Sequence, residues 1–173
     1  MKTIQLKRLE PQDEEALLRF ETENRAYFER SVPGRGDDYY QPAGFAERHR
    51  ELLSEQAEDL ARFYLVQDEL GRIVGRANLN DIDRIEGTAE VGYRIGEAWT
   101  GHGLAKRTLM LLIDEAKEAG LKRLYAKTTL SNPASRVISE SGGFVQVRIE
   151  ESDYELGGQR VSFVHYARGI RGV

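Results

Sequence analysis

A chain of 173 residues, 40% of them hydrophobic, is long enough for one domain with an ordinary core and too apolar for intrinsic disorder. Its 25 Lys and Arg against 29 Asp and Glu leave a formal net charge of −4, which argues against a surface given over to nucleic acid and mildly favours cationic or neutral partners. Cysteine is absent, which excludes disulfide frameworks, thiolate metal sites and cysteine nucleophiles.

The first segment, Lys2 to Arg8, alternates around Ile4 and Leu6 and reads as a short strand. Neither it nor the residues after it form an apolar signal core, and no run approaches the ~18 apolar residues of a membrane span. A soluble, cytoplasmic protein is therefore expected. Pro11 and the acidic residues 13–15 suit a first helical turn, and Leu17, Phe20, Asn24, Tyr27 and Phe28 continue at helical spacing to about residue 29. Residues 31–44, with two prolines and three glycines, read as a loop. A second helix carries Phe45, His49, Leu52, Leu53, Gln56 and Leu60 on one side.

From Arg62 the period becomes that of strands. Segments 63–67 and 73–80 flank a probable hairpin turn at 68–71, and 88–95 is a third strand. A glycine-rich turn over 96–103 leads into a helix with the stripe Ala105, Leu109, Leu112, Ile113 and Ala116, stopped by Gly120. Then come a strand at 123–128, a short helix at 133–141, and two strands at about 144–154 and 159–168 joined through Gly157 and Gly158. The order β-α-α-β-β-β-α-β-α-β-β indicates one mixed α/β domain over residues 1–173.

Three local signals carry chemistry. Gly101 and Gly103 let the backbone turn sharply before a helix, and the amides of His102 to Lys106 would face an anion at that helix's positive end, a diphosphate being the natural occupant. The alternative is a helix start that needed glycine only for its turn. Asn132 followed by Pro133 is an N-cap with proline at the first helical position; it either caps alone or its amide, or the Ser135 hydroxyl, also faces a ligand at the carboxyl edge where open α/β sheets bind them. Glu90 is a lone carboxylate between Ala89 and Val91, either solvated without a task or, inside a cleft, a general base.

In this order and spacing the chain resembles the GNAT family of acetyl-CoA-dependent N-acetyltransferases across nearly its whole length. The family's cofactor motif, Q/R-x-x-G-x-G/A, is matched by residues 100–105 at Gly103 and Ala105, with Thr100 in place of Gln or Arg. The run AEVGYRIGEAWTGHGLA (89–105) and the run NPASRVISESGGF (132–144) are similar to the branch containing ribosomal-protein alanine N-acetyltransferases, as is the early segment from 23–25 through 35–40. The resemblance implies a GNAT fold, a mixed and mostly antiparallel sheet with helices on both faces, and acetyl-CoA as co-substrate. It implies that backbone groups of Tyr93 and Ile95 pair with the pantetheine arm in a splay between strands 88–95 and 123–128. Gly101, His102, Gly103, Leu104, Ala105 and Lys106 would hold the pyrophosphate, with Asn132 near the pantetheine. Glu90 would be the general base and Ser135 a proton donor to the leaving thiolate.

The loop residues Asp37, Asp38 and Tyr39 are candidates for acceptor contact, since loops carry recognition. The expected reaction is direct acetyl transfer to a primary amine, foremost a protein N-terminus. The runners-up are a small amine, such as a polyamine, amino sugar or antibiotic, and a module that binds acyl-CoA without turnover. His49 is expected to pack beside the core, Trp99 to anchor the glycine turn, and three scattered histidines make a metal site improbable. Monomer and homodimer both stay open.

Overall fold

The computed structural model describes residues 3–170. Strand β1 (Ile4–Arg8) leads through a 3-10 turn (Pro11–Asp13) to helix α1 (Glu14–Phe28), and a second 3-10 turn (Asp37–Tyr40) precedes helix α2 (Pro42–Ala57). Strands β2 (Arg62–Asp68), β3 (Ile73–Asp83) and β4 (Thr88–Ile95) form an antiparallel meander. Helix α3 (Leu104–Glu118), strand β5 (Arg123–Thr129), helix α4 (Pro133–Ser141) and strands β6 (Val145–Leu156) and β7 (Gln159–Gly169) complete the chain. The seven-stranded sheet runs β1-β2-β3-β4-β5-β7-β6, and every neighbouring pair is antiparallel except β4 and β5.

Strand alternation divides the core in two. In β2, Tyr64 and Val66 pack with Leu104, Leu109, Leu112, Ile113 and Ala116 of α3, whereas Phe63 and Leu65 pack with Leu17, Phe20, Phe28, Phe45 and Leu52 of α1 and α2. Successive side chains point to opposite faces of a sheet, so one face is covered by α3 and the other by α1 and α2. The same rule orders β4: Val91 and Ile95 belong to the α3 side, and Glu90, Gly92 and Arg94 alternate with them toward α1 and α2.

The sequence reading departs from this structure in a few places. The segment 31–44 is not all loop, because residues 37–40 form a 3-10 turn and α2 starts at Pro42, three residues before Phe45, with proline at the first helical position. Gly44 lets these two pieces touch: a Cβ there would meet the Asp38 carbonyl oxygen at 2.0 Å. Leu60 lies beyond the end of α2 and is half exposed. Strand β3 runs on to Asp83 across an irregularity after Asn80, where Asp81 takes φ 50°. Lys2, expected to open the first strand, lies outside the described residues.

Candidate active site

The glycine turn is built by backbone conformation. After a 3-10 turn over Glu97–Trp99, Gly101 takes φ 79° and Gly103 φ 72°, the left-handed region that side chains disfavour. Neither glycine is crowded: a Cβ at either would meet nothing within 4 Å. Gly103 is the N-cap of α3 and offers no side chain, so the first amides of that helix, Leu104 to Lys106, lack both an intrahelical acceptor and a capping group. Thr100 closes the turn from behind, its hydroxyl donating to the Glu97 carbonyl at 2.8 Å. Arg72 stacks on the Trp99 ring at 4.9 Å, and Trp99 packs against the core on the α3 side.

Beside the turn the sheet opens. Strands β4 and β5 pair at only three positions, Thr88↔Arg123, Ala89↔Leu124 and Glu90↔Tyr125. Beyond them β4 stays with β3 as far as Ile95, while β5 stays with β7 as far as Thr129. Residues 91–95 therefore carry backbone donors and acceptors toward a gap, an edge that an extended amide-bearing chain can pair with. A cavity of ≈ 540 Å³ occupies this gap and reaches the glycine turn, lined by Tyr93, Ile95, Gly101, Gly103, Leu104, Ala105, Lys106, Asn132 and Ser135 among others. Asn132 caps α4, its Oδ1 accepting from the Ser135 amide at 3.1 Å. The Ser135 side chain and the Tyr93 phenol both line this cavity. Burial pushes the Tyr93 phenol above its ordinary value, against a smaller opposing influence of the neighbouring Ser135.

A second cavity, ≈ 570 Å³, lies on the α1 and α2 face of the same strands, and Tyr93 and Arg94 line both. Its floor is a ladder of cross-strand partners between β3 and β4: Arg76↔Arg94, Asn78↔Gly92 and Asn80↔Glu90. Gly92 leaves room for the Asn78 side chain, since a Cβ would meet Asn78 Oδ1 at 2.5 Å and push it aside. Asn80 Nδ2 donates to that same Asn78 oxygen at 2.8 Å. Two arginines directly opposite each other repel, and Glu21 of α1 offsets this. Its fully buried carboxylate stands 2.7 Å from Arg76 Nη1, 3.7 Å from Arg94 Nη1 and 4.0 Å from Arg35 Nη1. Tyr39 closes the group, its hydroxyl accepting from Arg76 at 3.1 Å.

The residues singled out in the sequence divide accordingly. Glu90 and Tyr39 line the second cavity, and the cofactor candidates line the first, except His102, which is exposed and outside the lining. Asp37 and Asp38 do not reach either cavity: Asp37 is held outward by Arg25 Nη2 at 2.7 Å, and the Asp38 carbonyl accepts from the Gln41 amide within its own turn. Charge is unevenly spread around Glu90: Arg35, Arg48, Arg76, Arg94 and Lys127 line the second cavity, whereas Glu55, Glu58, Asp59, Asp81 and Asp83 line a further cavity that Glu90 also borders. The sequence reading passed over Glu21, Arg35, Arg76, Arg94 and the phenol of Tyr93. One signal existed, since Glu21 stands four residues after Leu17 on the apolar stripe of α1.

His49 is buried, stacked on Phe45, with Nε2 3.1 Å from the Glu10 carbonyl. His165 pairs with Glu150 at 2.6 Å, and that hydrogen bond holds the Glu150 carboxyl below its ordinary range. Among the described residues no group of three or more His, Cys, Asp or Glu could hold a metal ion, and no helix is long and apolar enough to cross a membrane.

An open β4–β5 splay leading to an uncapped helix start can be compared with known proteins. The family model for the acetyltransferase (GNAT) domain matches residues 3–145. The chain belongs to the GNAT acetyltransferase family. Its GNAT fold is shared with the ribosomal-protein-S5-alanine acetyltransferase of Vibrio fischeri, at a TM-score of 0.88 and 20% identity over 98% of this chain and 97% of that one. A relative in Bacillus subtilis, the probable N-acetyltransferase YjcK, is 31% identical over 91% of this chain and 88% of its own. The ribosomal-protein-serine acetyltransferase of Escherichia coli is 31% identical over 49% of this chain and 48% of its own. Within this GNAT chain the match ends at Val145, where β6 begins, so β6 and β7 lie outside the matched segment.

Proposed function

We propose that this GNAT enzyme uses acetyl-CoA, and that it transfers the acetyl group to a primary amine, foremost the N-terminal amine of a protein. The observation that carries the cofactor reading is the continuous groove from the unpaired edge of β4 to the uncapped amides of α3. The edge suits the amides of a pantetheine arm, and the helix start suits a diphosphate through N–H donors and the helix dipole. Lys106 adds a positive charge beside the turn. A related structure, a ribosomal L7/L12 alpha-N-protein acetyltransferase, is in complex with coenzyme A, and the two ribosomal-protein relatives above support the acceptor.

When bound, acetyl-CoA supplies an activated acyl carbon and a thiolate leaving group. The chain's own residues supply the rest. Glu90, at the β4–β3–β5 junction and in the lining of the second cavity, takes the proton that an ammonium must lose before its lone pair can attack. A backbone amide near Gly92 or Tyr93 donates to the developing oxyanion. The Tyr93–Ser135 pair stands on the first cavity, where it donates to the departing sulfur; a buried phenol stays protonated at neutral pH and can do so.

The test is a turnover screen of the purified chain with acetyl-CoA, reading free thiol against N-terminal peptides of ribosomal proteins, polyamines and aminoglycosides. Release with peptides at a kcat/KM at least tenfold above the small amines is expected. Tight CoA binding without release from any acceptor would instead establish a binding module.

A further inference from the structure

The second cavity holds more positive charge than the fold needs. Three guanidinium groups, of Arg35, Arg76 and Arg94, share one carboxylate, Glu21. Arg76 is satisfied by Glu21 and Tyr39, and its side chain is 13% exposed. Arg94 is different. Its nearest carboxylate oxygen, Glu21 Oε2 at 3.7 Å, is beyond hydrogen-bond reach, and that oxygen is itself buried without a hydrogen-bond partner. The Arg94 guanidinium is 4.8 Å from the centre of the Phe28 ring, on a side chain only 25% exposed. A guanidinium has five donors in a planar fork, and those of Arg94 stay open to the cavity, where an anionic ligand can take them. Burial above all, and then the neighbouring Arg35 and Arg76, hold the Arg94 group below its ordinary value against the opposing charge of Glu21. The remedy is an anion in the cavity.

We propose that the acceptor carries a carboxylate or phosphate that binds among Arg35, Arg76 and Arg94 while its amine faces Glu90. The proposal rests on the acetyl-transfer reading and names the substrate class of that site. The ladder sets the spacing. Arg94 and Glu90 lie on the same face of β4 four residues apart, about 13 Å between Cα atoms at ~3.3 Å per residue. Arginine side chains bridge part of that span, so the anion sits several bonds from the amine, with Asn78 and Asn80 as polar neighbours between them. An acidic side chain just after a protein N-terminus fits this spacing, and so does a small amine bearing a carboxylate or phosphate. A polyamine does not, because it would bring more positive charge beside three arginines.

The experiment compares acceptors that differ only in the anion. With acetyl-CoA saturating, initial thiol release is measured for the peptide Ala-Asp-Ala-Ala amide, its Asn counterpart, 3-aminopropyl phosphate, 3-aminopropanol and spermidine. At least a tenfold higher kcat/KM for the acidic peptide over its Asn counterpart, or for the phosphate over the alcohol, is expected, and the favoured pair tells which source supplies the anion. Arg94→Gln should narrow that ratio to below about threefold, mainly through KM of the anionic acceptor. Arg35→Gln, on a loop and more exposed, should narrow it without endangering the fold. Ratios within threefold for both pairs in an enzyme that turns over would overturn the proposal. Release with no acceptor overturns the acetyl-transfer reading instead, and the anion site is then judged by calorimetry with inorganic phosphate. Binding that Arg35→Gln weakens at least threefold supports it, and absence of wild-type binding ends it.

Discussion

The two cavities on either side of Tyr93 are made in opposite ways. The proposed cofactor side is a backbone device: two left-handed glycines, an uncapped helix start and a strand edge whose neighbour has turned away. Its side chains mostly shape the gap. The proposed acceptor side is a side-chain device, in which Glu21, Arg35, Tyr39, Arg76, Arg94 and Glu90 come from five segments onto one ladder of the sheet. A backbone device tolerates most substitutions and fails at glycine. A side-chain device fails wherever one charge is removed, and its specificity can change without altering the fold.

The sharpest way to break this division is Glu90→Gln. It removes one proton acceptor and little volume, so the fold and CoA affinity should be kept while kcat/KM falls by roughly 10²–10⁴ near neutral pH. An acceptor amine has a pKa of ~10.4 if lysine-like and ~8 if an α-amine. More of it arrives deprotonated as pH rises, so the loss should shrink, and should begin to shrink at lower pH for an α-amine. Steady-state kinetics from pH 6 to 10 checks both points. A loss below threefold throughout would remove Glu90 from the mechanism, and a parallel loss of CoA affinity would dissolve the separation between the two sides.

The division also explains what could be read from the chain. The cofactor side is contiguous, from Ala89 to Ala116, and each of its features has a local cause: strand alternation, glycine where φ must be positive, apolar spacing in α3. Asn132 and Pro133 are equally local. The acceptor side has no such signature. Arg76 and Arg94 become neighbours only through the β3–β4 register, and a charged residue on a strand looks the same in sequence whether it meets solvent or a buried carboxylate. Asp37 and Asp38 were candidates because loops carry recognition, but Arg25 takes one outward and the turn orients the other. The net charge of −4 averaged over the surface hid a cavity of the opposite sign. The sheet order shows the same limit: the hairpin of β6 and β7 was legible, whereas the placement of β7 between β5 and β6 depends on contacts across forty residues.

On the cofactor side the matching test is Gly103→Val. The position is open, so the protein has no atom to clash with, and the cost to the fold is the left-handed φ of 72°, about 1–2 kcal/mol. A branched side chain there stands over the amides meant for a diphosphate. CoA affinity should fall at least tenfold, ~1.4 kcal/mol, with the ratio between anionic and neutral acceptors retained. Calorimetry on the folded variant gives the first number and the acceptor assay the second. Unchanged CoA binding would mean that the turn is not the phosphate cradle.

Tyr93 belongs to both sides, and its substitution is expected to have the smallest effect. In Tyr93→Phe the ring still packs against the core and still lines both cavities, while the phenol hydroxyl is lost. Ser135 remains, so a proton still has a route to the sulfur, and kcat should fall only about three- to tenfold, below the 10²-fold lower end for losing a general acid outright. The pH dependence gives a second reading. Because burial raises the phenol above its usual ~10, the neutral form that donates persists past that pH. The sign for stability is the same. Burial of the neutral phenol contributes fully below the unfolded value near 10 and is lost as pH rises through the higher folded value. Wild-type kcat should therefore hold to pH 10 and decline above it. In Tyr93→Phe that alkaline decline should be absent from a smaller plateau, because no phenol is left to ionise. A phenylalanine variant with full kcat and the same alkaline limb would place the proton donor elsewhere and leave Tyr93 only a wall between two cavities.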